Sequence, residues 1–133
     1  MQAIDFLTYI GSAETILNKL KLEEEDAAAM LSWCEKRWPN SKSKPMFISE
    51  LAGIHKQQHK IKSERDQRIK FLYNVPDLPD ILRRVLIMRH IDGLTFETIA
   101  DRLYYSPSYV SKELHNKALA AFDESLKQHR QYS

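Results

Sequence analysis

Ser106, Ser108, Tyr109, Ser111, Lys112, His115 and Asn116 crowd hydroxyl, ammonium, imidazole and carboxamide groups into eleven residues. Groups of this kind meet base edges and phosphates. A lysine reaches guanine acceptors or a phosphate, and an asparagine amide pairs with adenine through two hydrogen bonds. Among them Val110, Leu114 and Ala118 recur every fourth residue, which gives one helix an apolar face and a polar one. Ser106 is placed to cap that helix, and Pro107 suits its first position, where no backbone donor is needed. Ser106 and the free amides at the helix start are a place to hold a phosphate.

The segment just upstream must position this face. Thr95 suits the cap of a helix over 96–103, with Glu97 in its first turn and Ile99, Ala100 and Leu103 on its inner side. The small Ala100 permits a close crossing of two helices. Tyr104-Tyr105 is the turn between them. Two short helices joined this way are the sequence form of a helix-turn-helix, whose second helix lies in the DNA major groove. Arg83, Arg84, Arg89, Arg102 and Lys117 are candidates for contacts to the DNA backbone.

Apolar and polar residues repeat at helical spacing along the rest of the chain, without the alternation of a half-buried strand, so an all-α protein is expected. Residues 1–38 read as an N-terminal region of two or three short helices. Phe6, Leu7 and Ile10 form one stripe, Gly11-Ser12 is a break, and Glu23 to Asp26 suit a helix start. Two prolines and two serines make 39–46 a linker. Residues 47–75 read as a long basic helix, with six Lys/Arg against three Asp/Glu. Phe47, Leu51, Ile54, Gln58, Ile61, Arg65, Arg68 and Leu72 follow heptad spacing there, three of the eight being polar. This helix is expected to support a homodimer or to pack on the N-terminal helices. Residues 76–133 form the helix-turn-helix domain. Pro79 opens its first helix and Gly93 ends it in a left-handed conformation.

Composition bounds the function. Of 133 residues, 43% are hydrophobic and 29% charged, for a net charge of +2. Residues 76–133 carry eight basic against eight acidic side chains, so DNA binding there needs charges sorted onto one face. No apolar run approaches the ~20 residues that span a bilayer, and no basic residue precedes the apolar N-terminal stretch as in a secretory signal. Cys34 is the single cysteine, which excludes an internal disulfide and fits the cytoplasm. His55 and His59 stand four apart without a third ligand, so no metal site is expected. No glycine-rich phosphate loop, nucleophile elbow or paired-carboxylate motif occurs. No enzyme activity and no cofactor are expected.

One known family shares this pattern. Leu78-Pro79-Asp80, Val85 to His90, Asp92 to Thr95, Ile99-Ala100-Asp101, Leu103, Ser106 to Val110 and Lys117-Ala118-Leu119 together resemble the fourth region of bacterial sigma factors. The resemblance covers about residues 78–122. It implies that the second helix of the motif reads a promoter element and that the domain docks on RNA polymerase. A similar module occurs in small phage regulators that switch on late genes. Tyr104 stands where that pattern usually has glycine, and Glu113 where it has an apolar residue. The 77 residues upstream leave little room for the region that melts promoters, so a complete sigma factor is not expected. The expected function is a DNA-binding transcription regulator acting on double-stranded DNA, an activator of phage or mobile-element genes. Two other readings use the same residues: an interaction module that binds RNA polymerase or another regulator without reading DNA, and the small subunit of a phage DNA-packaging machine.

Overall fold

The computed structural model describes residues 1–132, apart from the side chain of Arg130. Among the described residues the fold is all-α, with no strand. Helix α1 is Ala3–Arg37 and α2 is Lys44–Asn74. Helix α3, over 80–91, joins a regular stretch Asp80–Leu86 to a wide turn Ile87–Ile91. Helix α4 is Phe96–Leu103. Helix α5, over 107–128, contains a second wide turn at Val110–Leu114. A short 3-10 turn, Arg130–Tyr132, follows.

The N-terminal region is thus one helix and not two or three. A glycine inside a helix costs only about 1 kcal/mol relative to alanine. Phe6, Leu7 and Ile10 before Gly11, and Ala13 and Leu20 after it, are all buried and hold the backbone helical through it. The acidic run Glu23 to Asp26 consequently lies mid-helix. Helix α2 begins earlier than the apolar pattern suggests, because Pro45 fits its first turn, and the linker shrinks to 38–43.

Two compact units result: Met1–Gly11 with the chain from Asp66 onward, and Ser12–Arg65. The division falls inside α1 and α2 and not at the linker, which merely joins two helices that pack on each other. In the second unit, polar side-chain pairs between the helices set an antiparallel register. Glu14 meets Arg65, Glu24 meets His55 at 3.3 Å and Glu35 meets Lys44 at 3.6 Å. The pairs step ten and eleven residues up α1 and the same ten and eleven down α2. Leu20, Ala27 and Ile54 are enclosed between the helices, with Leu51 and Ile61 beside them. The heptad seam of α2 therefore packs on α1.

In the first unit, Phe6, Leu7 and Ile10 of α1 pack with Leu72, Val75, Leu78, Leu86, Ala118, Phe122 and Leu126. Phe6 meets Phe122 edge-on, with ring centroids 5.1 Å apart. Arg68, a polar position of the heptad pattern, is buried. It donates to the Phe6 carbonyl at 3.2 Å, and its guanidinium lies 4.1 Å from the centre of the Tyr9 ring.

Arg83 ties α2 to α3. It donates to the carbonyls of Leu72 (3.2 Å), Val75 and Leu78 (3.1 Å), and pairs with Asp80 at 2.8 Å. These carbonyls belong to the end of α2 and the connection after it, where helical partners run out. Charge-assisted hydrogen bonds contribute roughly 1.5–3 kcal/mol each, and orphaned carbonyls add a penalty. Arg83→Ala should cost about 2–4 kcal/mol in a urea titration, well beyond the typical surface substitution. A loss within 0.5 kcal/mol would contradict this role.

Candidate nucleic-acid interface

Helices α3, α4 and α5 meet around Val85, Ile99, Ala100, Val110 and Leu114, with Leu82, Met88, Leu94, Phe96 and Leu103 packed at the edges. Gly93, at φ 70°, ends α3 as the sequence suggests. Thr95 then caps α4, its hydroxyl accepting from the Thr98 amide at 3.2 Å. At the far end of α4, Tyr104 adopts a left-handed backbone, φ 61° and ψ 39°. The amides of Tyr104 and Tyr105 both point at the Ala100 carbonyl, the latter at 2.9 Å. The chain thereby reverses within three residues. Ser106 caps α5 by accepting from the Tyr109 amide at 3.2 Å, with Pro107 in the first position.

The wide turn at Val110–Leu114 explains the departure at Glu113. Residues spaced by four drift around a regular helix of 3.6 residues per turn, and a locally wider turn corrects the drift. Val110, Leu114 and Ala118 are all buried as a result, while Glu113 is exposed.

The residues expected from the sequence to meet DNA divide into two sets. Ser106, Ser108, Tyr109, Lys112, Asn116, Lys117 and Arg102 are exposed. Ser111 is half-buried, its hydroxyl donating to the Ser108 carbonyl at 3.3 Å. Asn116 donates to the Lys112 carbonyl at 2.8 Å, which orients its amide along the helix.

His115 and Arg89 are engaged inside the protein. Nε2 of His115 lies 3.0 Å from Nε2 of His90, the two rings nearly parallel, and the Phe96 ring packs edge-on against His115. Arg89 donates to the Leu94 carbonyl at 3.1 Å, and its guanidinium sits 4.2 Å from the Phe96 ring centre. Arg83 is likewise spent on carbonyls, whereas Arg84 is exposed.

Two features escape the sequence reading. One is the His90–His115 pair, whose members lie 25 residues apart and gave no local signal. The other is a tyrosine cluster: Tyr104 is 94% exposed, and Tyr105 and Tyr109 are exposed with ring centroids 5.1 Å apart. The tyrosine in place of the usual turn glycine is the signal that leads there. Its ring points to solvent and not into the core.

Burial, then the neighbouring His115, then the Arg89 cation push the His90 imidazole down from 6.5 to about 4. Burial and Arg89 lower His115 too. Both rings are therefore neutral at physiological pH, one nitrogen donating and the other accepting. The chain matches no known family model, no curated protein and no solved structure.

The histidines predict a pH dependence. Between pH 6.5 and about 4 the unfolded chain binds more protons than the folded one, so stability rises with pH in this window. It is fully present above 6.5 and lost on acidification. His90→Gln should flatten this part of the curve of unfolding free energy against pH. An equally steep curve in the variant would contradict the assignment. Tyr104→Gly, in turn, should raise the unfolding free energy by up to about 1 kcal/mol, because a left-handed L-residue costs about 1–2 kcal/mol and glycine gives part back as unfolded-state entropy. A destabilised variant would show that the ring holds the turn.

Proposed function

We propose that this protein is a sequence-specific regulator of transcription that binds double-stranded DNA through α5. The observation that supports it best is the exposed face Ser106, Ser108, Tyr109, Lys112 and Asn116, backed by the buried stripe Val110, Leu114 and Ala118. A helix capped by serine, entered through a three-residue reversal and polar on its outer side fits the dimensions and chemistry of a major groove. Pro107 has no N–H and Ser106 takes the Tyr109 amide, so the Ser108 amide is the one at its start that favours a phosphate, and Lys112 and Lys117 on α5 and Arg102 on α4 are exposed cations beside it. Arg89 and His115 act in this reading as supports of α3, α4 and α5.

The role of an activator of phage or mobile-element genes, and a contact with RNA polymerase, follow from the sequence resemblance. The balanced charge of residues 76–133 agrees with a domain that depends on few, well-placed contacts. Each phosphate neutralised contributes about −0.9 to the slope of log affinity against log salt, which measures that number.

Lys112→Ala and Asn116→Ala should each weaken binding to the selected site by about 1–3 kcal/mol. Both side chains are exposed, so thermal stability should stay unchanged. Asn116→Ala should leave binding to unrelated duplexes nearly untouched. Wild-type affinity for the specific site in both variants would refute the reading.

A further inference from the structure

The unit Ser12–Arg65 is under-packed for its size. Its enclosed cluster is Leu20, Ala27 and Ile54, and two antiparallel helices with so small a core are marginal on their own. The apolar side chains that would enlarge the core point outward. Leu22 is 63% exposed, and Met30 and Trp33 are each 44% exposed. At 3.6 residues per turn, Leu22, Ala29 and Trp33 share one bearing on α1, with Met30 at its flank. This face lies away from the one bearing Leu20, Ala27 and Cys34. The outer side of α2 carries the exposed Ser49, Lys56 and Lys60, and its exposed apolar residues Met46 and Ile48 lie together near its start.

The charges along the α1 stripe are arranged head to tail. Glu23, Glu25 and Asp26 stand at one end, and Lys36 and Arg37 at the other. None of the five makes an ion pair among the described residues, in contrast to Glu24 and Glu35, which pair with α2. The small, exposed Ala28 and Ala29 lie between the two groups.

We infer that this face of α1 pairs with the same face of a second copy of the chain, antiparallel, about a two-fold axis near Met30. A two-fold contact must be self-complementary. Antiparallel pairing brings the acidic end of each copy to the basic end of the other. It also sets each Trp33 close to Ala29 of its mate and Met30 beside Met30. The two hairpins together form a four-helix bundle, which supplies the core that one hairpin lacks. The pairing does not rest on DNA binding, although it would give a regulator two reading helices.

Sedimentation equilibrium of the full chain without DNA tests it. The wild type should be a dimer of the 15.6 kDa chain, dissociating more readily at high salt. Trp33→Glu should weaken association roughly tenfold or more with helicity retained. Glu25→Lys with Asp26→Lys should also yield monomers. Adding Lys36→Glu and Arg37→Glu to that same chain should restore the dimer, since the exchanged charges meet again across the axis. Both tryptophans of the chain, Trp33 and Trp38, lie in this unit, so their emission should shift to the red on dilution in step with the mass. A wild type that is monomeric at every concentration overturns the pairing, as does undiminished association in Trp33→Glu. Should Trp33→Glu unfold, the charge exchange decides, and failure to restore the dimer overturns the pairing. A monomer that still binds a half-site would leave the DNA reading intact.

Discussion

The reversal at Tyr104 is the constraint on which the candidate interface depends. A right-handed backbone at that residue would send the chain onward from α4, and α5 would not return to pack on Ile99 and Ala100. The left-handed conformation is disfavoured for any residue with a Cβ. Here two amides converge on the Ala100 carbonyl, and Val110 and Leu114 are fully packed on the far side of the bend. Local strain of this kind persists where the surroundings over-determine it. Once Val110, Leu114 and Ala118 face inward, Ser108, Lys112 and Asn116 have only the outside to face. The polar surface of α5 is a consequence of the bend and the stripe together.

The supports of this arrangement are mostly polar, and they consume cations that a nucleic-acid surface would otherwise use. Arg83 serves the end of α2 and the connection into α3. Arg89 braces the connection from α3 to α4 through the Leu94 carbonyl and the Phe96 ring. His90 and His115 join α3 to α5 through a single shared hydrogen bond. Arg84, Arg102, Lys112 and Lys117 remain for an outside partner. The neutral balance of residues 76–133 is therefore misleading as a bulk figure, since part of the positive charge is internal.

What was legible in the sequence was local. Thr95 and Ser106 cap the helices that their spacing implies, Gly93 takes the left-handed position, and Val110, Leu114 and Ala118 are buried. Each of these depends on residues within a few positions of one another. The exposure of Ser108, Lys112 and Asn116 was readable for the same reason. The engagement of Arg83, Arg89, His90 and His115 was not, because their partners are fixed by how α2, α3, α4 and α5 cross. Gly11 reads as a break by propensity alone, and the burial of Phe6, Leu7 and Ile10 beside it overrides that propensity. The α1–α2 register pairs Glu14, Glu24 and Glu35 on one helix with Arg65, His55 and Lys44 on the other. The spacing of either helix alone does not show that.

The central claim is that the outer face of α5 recognises a particular DNA sequence. Selection of bound duplexes from a random pool by the full chain measures this most directly. The account predicts that a defined motif is enriched over successive rounds and that the enriched duplex outcompetes the starting pool at moderate salt. A folded protein that leaves the pool random would contradict it.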